Sequence, residues 1–293
     1  MTEPQLRRVA CLDPTGLHDM AYWQWGDPDN PRVVVCVHGL TRQGRDFDTL
    51  ARSLCDEFRV VCPDVVGRGQ SDWLRDPKGY QLPTYMADMV TLLARLDATE
   101  VNWVGTSMGG LIGMALASLK GSPLRRLVLN DVGPEIEFEA VARIAAYVGQ
   151  PARWDSLEQA AADLWKISTG FGPHTDEQWL ALTRPQVMAL PDGGYGPHYD
   201  PAIGVPVRAT TPELLAAGQA MLWHAYDTIT CSTLLLRGAD SDLLSPSTAQ
   251  AMTQRGPRAR LVEFAGVGHA PTLQAPDQRA VIESFLRSAA AGT

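Results

Sequence analysis

Two kinds of apolar pattern alternate along the first half of the chain. Residues 33–37 and 127–129 are unbroken apolar runs, which are typical of strands buried on both faces of a parallel sheet. Between such runs, apolar residues recur every three or four positions, which predicts amphipathic helices packed on the sheet. One such stripe consists of Tyr85, Met89, Leu92, Leu93 and Leu96. Together with a predicted antiparallel hairpin over residues 6–12 and 17–25, this order predicts an α/β fold with a doubly wound, mostly parallel sheet.

The alternation of strands and helices stops at Gly133, and it resumes only towards the end of the chain. The stretch between contains helix starts but no run that is typical of a buried strand. Some of these starts carry capping residues, namely Ser156, Thr175 and Thr211. Residues 190–207 are rich in glycine and proline, which predicts a loop. We therefore predict a core domain of residues 1–133 and 227–293, with a helical lid, the cap, of residues 134–226.

Composition and charge argue against several classes of function. The 293 residues carry a formal net charge of -8 without a basic stripe, which disfavours a nucleic-acid partner. No apolar run approaches the roughly 20 residues that a membrane-spanning helix needs, so no membrane partner is expected. Residues 1–10 lack the apolar core of a secretory signal, and no two cysteines form a C-x-x-C pair, which favours the cytoplasm. We expect a small-molecule partner and either a monomer or a homodimer.

The candidate nucleophile is Ser107, which lies between a predicted strand and a predicted helix. Its neighbours Gly105 and Gly109 complete the pattern G-x-S-x-G. A serine on so tight a turn needs small flanking residues, and the helix that follows directs its N-terminal amides at the reacting oxygen. The alternative interpretation is a buried serine that only caps a helix, which the two flanking glycines disfavour.

A serine hydroxyl becomes an effective nucleophile only with a base in reach, and that base needs an acid to orient it. His269 is the candidate base, because it follows the last predicted strand on a glycine-flanked turn. Asp131, Asp240 and Asp242 are candidate acids, since each follows a predicted strand. The carboxyl ends of parallel strands share one edge of the sheet, where ligands bind. We therefore expect the nucleophile, base and acid to meet at that edge.

Five motifs in this order resemble those of the serine-type α/β-hydrolase family, and together they span nearly the whole chain. They are an HG turn at residues 38–39, G-R-G-x-S-D at 67–72, G-x-S-M-G-G at 105–110, R-G-x-x-S-D at 237–242 and G-x-G-H-x-P at 266–271. The cap falls between the sixth and seventh strands, where the family inserts its lid. The resemblance implies the α/β-hydrolase fold. We expect no cofactor, because the sequence shows neither a cluster of metal-ligating residues nor a dinucleotide-binding fingerprint.

The resemblance also implies roles for the matching residues. Ser107 is expected to be the nucleophile and His269 the base. The backbone N–H groups of Leu40 and Met108 are expected to form the oxyanion hole. His38 is expected to brace the turn beside that hole. Because the oxyanion donors are main-chain groups, the side chains at those two positions are of little consequence.

The acid is the one member of the triad that the resemblance leaves open. Asp242 is the first choice, because it lies four residues before Pro246, as in the D-x-x-x-P pattern of the family. Asp240 is close enough to compete. Asp131 occupies the position that some branches of the family use instead. For whichever two are not the acid, turn and capping chemistry is the ordinary role of aspartate.

Departures from the motifs of particular branches narrow the expected function. The chain has no HGGG loop, which disfavours the lipase and esterase branch that carries one. Its HG turn does not continue as the G-P-G typical of C–C bond hydrolases. The turn at residue 107 carries serine rather than aspartate, which argues against haloalkane dehalogenases and epoxide hydrolases. We therefore expect a hydrolase that cleaves a small, largely apolar carboxylic ester or lactone through an acyl-enzyme. The alternatives are a ligand-binding or sensing protein on the same fold, a cofactor-free oxygenase, or a C–C bond hydrolase.

Substrate specificity is expected to reside in the cap, which is rich in aromatic residues. Candidate pocket residues are Arg42, Trp165, Tyr195, Trp223 and His224. No concentrated cluster of charge is present in the cap, so a compact substrate with short to medium acyl groups is expected. For each aromatic side chain taken singly, packing of the cap against the core is the ordinary alternative.

Overall fold

A mostly parallel sheet runs through the centre of the protein. The computed structural model describes residues 3–288, and within them this sheet has eight strands. Its strands are β1 (Gln5–Asp13), β2 (Gly16–Trp25), β3 (Arg32–Val37), β4 (Arg59–Pro63), β5 (Glu100–Thr106), β6 (Leu124–Asn130), β9 (Ser232–Gly238) and β10 (Arg260–Phe264). A separate hairpin consists of β7 (Val187–Ala189) and β8 (Tyr195–Pro197).

Helices flank the sheet and make up most of residues 134–226, the segment that is called the cap below. They are α1 (Asp48–Leu54), α2 (Leu82–Leu96), α3 (Met108–Ala117), α4 (Phe138–Tyr147), α5 (Leu157–Lys166), α6 (Asp176–Thr183), α7 (Gly204–Arg208), α8 (Pro212–Thr228), α9 (Pro246–Met252) and α10 (Pro276–Arg287). None of the helices within residues 3–288 combines the length and apolarity needed to cross a bilayer.

The strand order of the main sheet is β1-β2-β4-β3-β5-β6-β9-β10. The β1–β2 hairpin is antiparallel, and β2 also pairs antiparallel with β4, whereas every other neighbouring pair is parallel. The predicted α/β fold with a doubly wound, mostly parallel sheet is therefore confirmed. The first two crossovers place β3 and β5 at the centre, so the turns that follow these two strands lie together at one edge.

The two faces of the sheet are covered by different helices, and β3 shows how. Its alternate residues point to opposite faces. Val33, Val35 and Val37 belong to a core with residues of α2 and α3, while Val34 and Cys36 pack with residues of α1 and α10. An unbroken apolar run is thus the sequence that a strand buried on both faces requires.

The segment between β6 and β9 contains helices α4–α8 and the β7–β8 hairpin. The side chains of Ser156, Thr175 and Thr211 cap α5, α6 and α8 as predicted, and Thr175 forms a full capping box with Gln178. The prediction of loop over residues 190–207 is wrong in part, because it contains β8 and α7. A three-residue strand is too short for its alternation to be visible in the sequence.

Candidate active site

Ser107 lies on a strained turn between β5 and α3. Its backbone has φ 51° and ψ -117°, a conformation that costs a residue with a side chain about 1–3 kcal/mol. The flanking glycines are required by close backbone approaches. A Cβ atom on Gly105 would lie 2.3 Å from the carbonyl oxygen of Gly109, and one on Gly109 would lie 2.0 Å from that of Val37. The turn therefore holds the serine hydroxyl in one place at the edge of the sheet.

His269 joins Ser107 to a carboxylate. Its Nε2 lies 3.0 Å from Ser107 Oγ, and its Nδ1 lies 2.8 Å from Asp131 Oδ2. Because a carboxylate only accepts, Nδ1 carries the proton and Nε2 accepts the hydrogen bond from the serine hydroxyl. The side chain of His269 is 12% exposed, whereas that of Asp131 is fully buried. The arrangement is that of a nucleophile, a base and an orienting acid.

Three hydrogen bonds compensate the burial of the Asp131 carboxylate. Besides the bond from His269, Oδ1 accepts from the backbone N–H of Gly238 at 2.8 Å and Oδ2 from the hydroxyl of Ser241 at 2.6 Å. Such donors stabilise the ionised form of a buried carboxyl group. The donors come from the end of β9 and the turn after it, so that turn supports the acid without supplying it.

The structure corrects the prediction that Asp242 is the acid. Its side chain is 51% exposed and forms an ion pair with Arg143, at 2.7 Å from Nη2 and 2.9 Å from Nε. Asp240 is likewise exposed. The turn after β9 directs Ser241 towards the sheet edge, so Asp242 beside it points towards the cap. Spacing along the sequence carries no information about which of these side chains faces inward.

The HG turn lies beside Ser107, as expected for one side of an oxyanion hole. A Cβ atom on Gly39 would lie 3.8 Å from Ser107 Cβ. Buried His38 braces this turn: its Nε2 accepts from the backbone N–H of Val65 at 2.9 Å, and its Nδ1 donates to the Gly39 carbonyl at 2.7 Å. Burial lowers the pKa of His38 to about 3, so this side chain is neutral at working pH. A neutral imidazole is what one donated and one accepted bond require.

Of the two predicted oxyanion donors, Met108 follows Ser107 directly in the chain, and Leu40 lines the same cavity. Met108 is the first residue of α3, where backbone N–H groups have no partner within the helix. Leu40 follows Gly39 and lines the same cavity as Ser107. The role of their N–H groups remains a prediction, because it concerns an oxyanion that exists only during reaction.

Arg68 holds the Leu40 segment in place, a role that was not predicted from the sequence. This buried guanidinium donates to the carbonyl oxygens of Leu40 at 2.8 Å and Val66 at 2.7 Å, and to the hydroxyl of Tyr85 at 3.0 Å. Anchoring the Leu40 carbonyl fixes the peptide chain beside the predicted oxyanion hole. The available signal was the arginine inside G-R-G-x-S-D, since a charged residue within a glycine turn needs buried partners.

A cavity of about 290 Å³ opens above Ser107 and His269, between the HG turn and the cap. Its cap wall is largely apolar or aromatic. That wall includes Ile144, Tyr147, Trp154, Leu164, Phe171 and Tyr199. The size is at the small end of the range for ligand pockets, about 300–1,000 Å³. A compact ligand therefore matches the space better than a long chain.

Of the predicted pocket residues, only Arg42 lines this cavity. The other four are corrected. Trp165 packs edge-on against Trp179, and Tyr195 belongs to the apolar cluster within the cap. Trp223 donates from Nε1 to Glu135 Oε1 at 2.9 Å, and His224 is exposed. A count of aromatic residues in the cap does not distinguish those that face the core from those that pack within the cap.

A buried group of metal-ligating types lies away from this cavity, although the sequence showed no such cluster. Cys11, His18 and Asp88 bring their ligand atoms within 4.8 Å of one another. His18 Nε2 lies 3.1 Å from Asp88 Oδ2. This contact joins the β1–β2 hairpin to α2 across 70 residues of sequence, which is why the group was not visible beforehand.

The chain is similar to known proteins in both sequence and structure. The model of the alpha/beta hydrolase family matches residues 34–281. A 3-hydroxybutyrate-oligomer hydrolase from Cupriavidus necator is 53% identical over 290 residues, which are 98% of this chain and 99% of that protein. Esterase YbfF from Escherichia coli is 25% identical over 262 residues, which are 88% of this chain and 93% of the esterase.

Solved structures show the same similarity. The crystal structure of an alpha/beta hydrolase from Novosphingobium aromaticivorans superposes with a TM-score of 0.85 at 36% identity. The match covers 98% of this chain and 99% of that one. Both the core and the segment between β6 and β9 therefore have counterparts in known proteins.

Proposed function

Because the chain belongs to the alpha/beta hydrolase family and is a serine hydrolase of carboxylic esters, we propose that it cleaves short oligomers of 3-hydroxybutyrate. The observation that carries the proposal is the Ser107–His269–Asp131 relay below a small, capped cavity. The substrate class comes from the relative that is 53% identical over nearly the whole chain.

In the first half of the reaction, His269 Nε2 takes the proton of Ser107 as Oγ attacks the ester carbonyl carbon. The negative charge on the carbonyl oxygen is stabilised by the N–H groups of Leu40 and Met108. The tetrahedral intermediate then collapses, the bond to the alcohol oxygen breaks, and His269 returns the proton to that oxygen. An acyl-enzyme and a free alcohol result.

In the second half, a water molecule takes the place of the alcohol. His269 removes its proton as the water oxygen attacks the acyl carbon, and the same oxyanion donors stabilise the second intermediate. Ser107 leaves with the proton that His269 returns. Asp131 stays ionised throughout, orients the imidazole and stabilises its charged form. Its position at the end of β6, with donors from the turn after β9, suits that constant role.

The size and lining of the cavity favour short oligomers of 3-hydroxybutyrate as substrates over esters of long acyl chains. A unit of 3-hydroxybutyrate is short and mostly apolar, and it repeats the same ester bond. The apolar cap wall would bury its methyl groups, while the cavity of about 290 Å³ leaves room for few units. An acyl chain as long as that of a lipid has no comparable place within the cavity.

The test is multiple-turnover release of 3-hydroxybutyrate from its synthetic dimer and trimer by the purified protein. Ser107→Ala is expected to abolish release, and Ser118→Ala, at the end of the same helix, is the matched control. Hydrolysis of p-nitrophenyl butyrate without turnover of either oligomer would contradict the substrate class. Binding without turnover of any ester would favour a sensing protein, and oxygen uptake would favour a cofactor-free oxygenase.

A further inference from the structure

We propose that Arg143 forms a carboxylate subsite in the cavity and binds the free acid end of the substrate. This inference rests on the proposed function, because it concerns how that class of substrate is recognised. Arg143 lies on α4, and it lines the same cavity as Ser107 and His269.

Among the described residues that line the cavity, the other strongly charged side chains, Arg42 and Asp163, already have partners within the protein. Arg42 forms a two-point contact with Asp46, at 2.6 Å from Nε and 2.8 Å from Nη2, and both side chains are less than a fifth exposed. Asp163 accepts from Lys166 Nζ at 2.6 Å and from Trp154 Nε1 at 3.1 Å. A carboxylate would have to break the sheltered Arg42–Asp46 pair to reach Arg42. Asp163 is itself negatively charged, so it would repel a carboxylate.

Arg143 is in a different position. Its side chain is 44% exposed, and its partner Asp242 is 51% exposed. Ion pairs so accessible to water contribute little to stability, because each group loses little by returning to solvent. A carboxylate that enters the cavity can therefore replace Asp242 at little cost. The planar guanidinium then offers the incoming carboxylate two parallel hydrogen bonds.

The chemistry of the substrate determines which part of it Arg143 would hold. In a linear oligomer of a hydroxy acid, the free carboxylate lies on the alcohol side of every ester bond. The alcohol is the leaving group when Ser107 Oγ bonds to the carbonyl carbon, and it receives its proton from His269. Arg143 thus holds the leaving group, so the contact positions the ester bond over Ser107 without entering the acyl-enzyme.

The proposed subsite gives a role to the ion pair between Arg143 and Asp242, which takes no part in the triad. Asp242 follows β9 on the core, and Arg143 is on the cap and lines the cavity, so their ion pair joins the two parts. When substrate is absent, Asp242 keeps the guanidinium beside the cavity. When substrate enters, the guanidinium exchanges one carboxylate for another.

The experiment compares two dimers of 3-hydroxybutyrate, one with a free carboxylate and one with a terminal carboxamide. The wild type is expected to prefer the acid in kcat/KM by about 10- to 100-fold, which is the range for one charge-assisted contact. Arg143→Gln is expected to reduce this preference to near one, mainly by raising KM for the acid, and Arg143→Lys to restore part of it. Asp242→Asn is expected to lower KM for the acid.

Arg153→Gln is the matched control, because Arg153 is also an exposed cap arginine in an ion pair, here with Asp192. It should keep the wild-type preference. An Arg143→Gln variant that folds, as judged by circular dichroism, and still prefers the acid would overturn the inference alone. If the wild type hydrolyses p-nitrophenyl butyrate but neither dimer, the proposed function itself is overturned.

Discussion

Ser107 and Asp131 occupy equivalent positions on neighbouring strands. The residues before them, Thr106 of β5 and Asn130 of β6, are paired in the register of the sheet. The backbone N–H of Ser107 donates to the carbonyl of Asn130 at 3.0 Å, and both Ser107 and Asp131 have positive φ, 51° and 55°. The proposed nucleophile and the proposed acid are thus held by adjacent main chains, and the His269 side chain, from the turn after β10, contacts both.

Asp131→Asn is expected to reduce kcat by about 10⁴-fold, because an amide favours the wrong tautomer of His269. Asp242→Asn, the matched change in the turn after β9, should reduce kcat by less than about tenfold, since Asp242 contacts Arg143 rather than the imidazole. The measurement is hydrolysis of p-nitrophenyl butyrate by both variants. If Asp242→Asn proves the more damaging change, the acid assigned from the geometry is wrong.

Ser107→Gly is expected to raise the free energy of unfolding by about 1 kcal/mol while abolishing turnover. Glycine adopts the backbone conformation of Ser107 without strain, which outweighs the extra entropy of the unfolded chain. Ser107→Ala is the control, because it removes the hydroxyl and keeps the strain. Urea unfolding of the three proteins measures the difference. Equal stability of the glycine and alanine variants would mean that the turn stores no strain.

His38 is expected to make stability depend on pH. Its pKa is about 3 in the folded protein, against about 6.5 in an unfolded chain. Below about pH 6.5 the unfolded chain therefore binds a proton that the folded protein does not. The contribution of His38 to the free energy of unfolding is complete above that pH. It declines as the pH falls towards 3, by at most about 1.4 kcal/mol per pH unit.

Urea unfolding of wild type and His38→Gln at about pH 7.5 and pH 5 checks this expectation. The stability advantage of the wild type should shrink at the lower pH, because glutamine does not titrate. His224→Gln is the control for an exposed histidine, and it should leave the change in the free energy of unfolding between the two pH values as in the wild type. An advantage that is independent of pH would show that burial does not suppress protonation of His38.

The kcat/KM for ester hydrolysis is expected to have a sharp optimum as the acyl chain is lengthened. Each methylene buried against the cap wall should raise kcat/KM by up to about fourfold, the equivalent of about 0.8 kcal/mol. Once the cavity of about 290 Å³ is filled, kcat/KM should fall steeply. The measurement is kcat/KM across p-nitrophenyl esters from acetate to laurate. An optimum at laurate would indicate an open groove and would contradict the small cavity.

The sequence predicted the parts of the molecule that depend on local pattern. Apolar runs such as residues 33–37 identify buried strands, and glycine on both sides of Ser107 identifies a tight turn, because each pattern reflects a constraint within a few residues. The strand order and the meeting of Ser107 with His269 at one edge follow from parallel topology.

The parts that the sequence did not predict depend on where a side chain points. Asp131 and Asp242 both follow strands, and only the turn geometry decides which faces His269. Trp165 and Trp223 pack within or beside the cap for the same reason, while less conspicuous residues such as Tyr147 line the cavity. Arg68 contacts Leu40 across 28 residues of sequence, a distance at which a motif gives no orientation.

The placement of Asp131 at the end of β6 divides the reactive groups between two stretches of chain. Ser107 and Asp131 precede the cap, and His269 follows it. The exposed tip of the β7–β8 hairpin, residues 191–193, is a natural site for a break in the chain, since exposed loop tips tolerate such changes best. Each fragment cut there would be inert alone, one lacking the base and the other the nucleophile. Recovered ester hydrolysis would then report reassembly of the two halves, which makes this fold suitable for a complementation sensor.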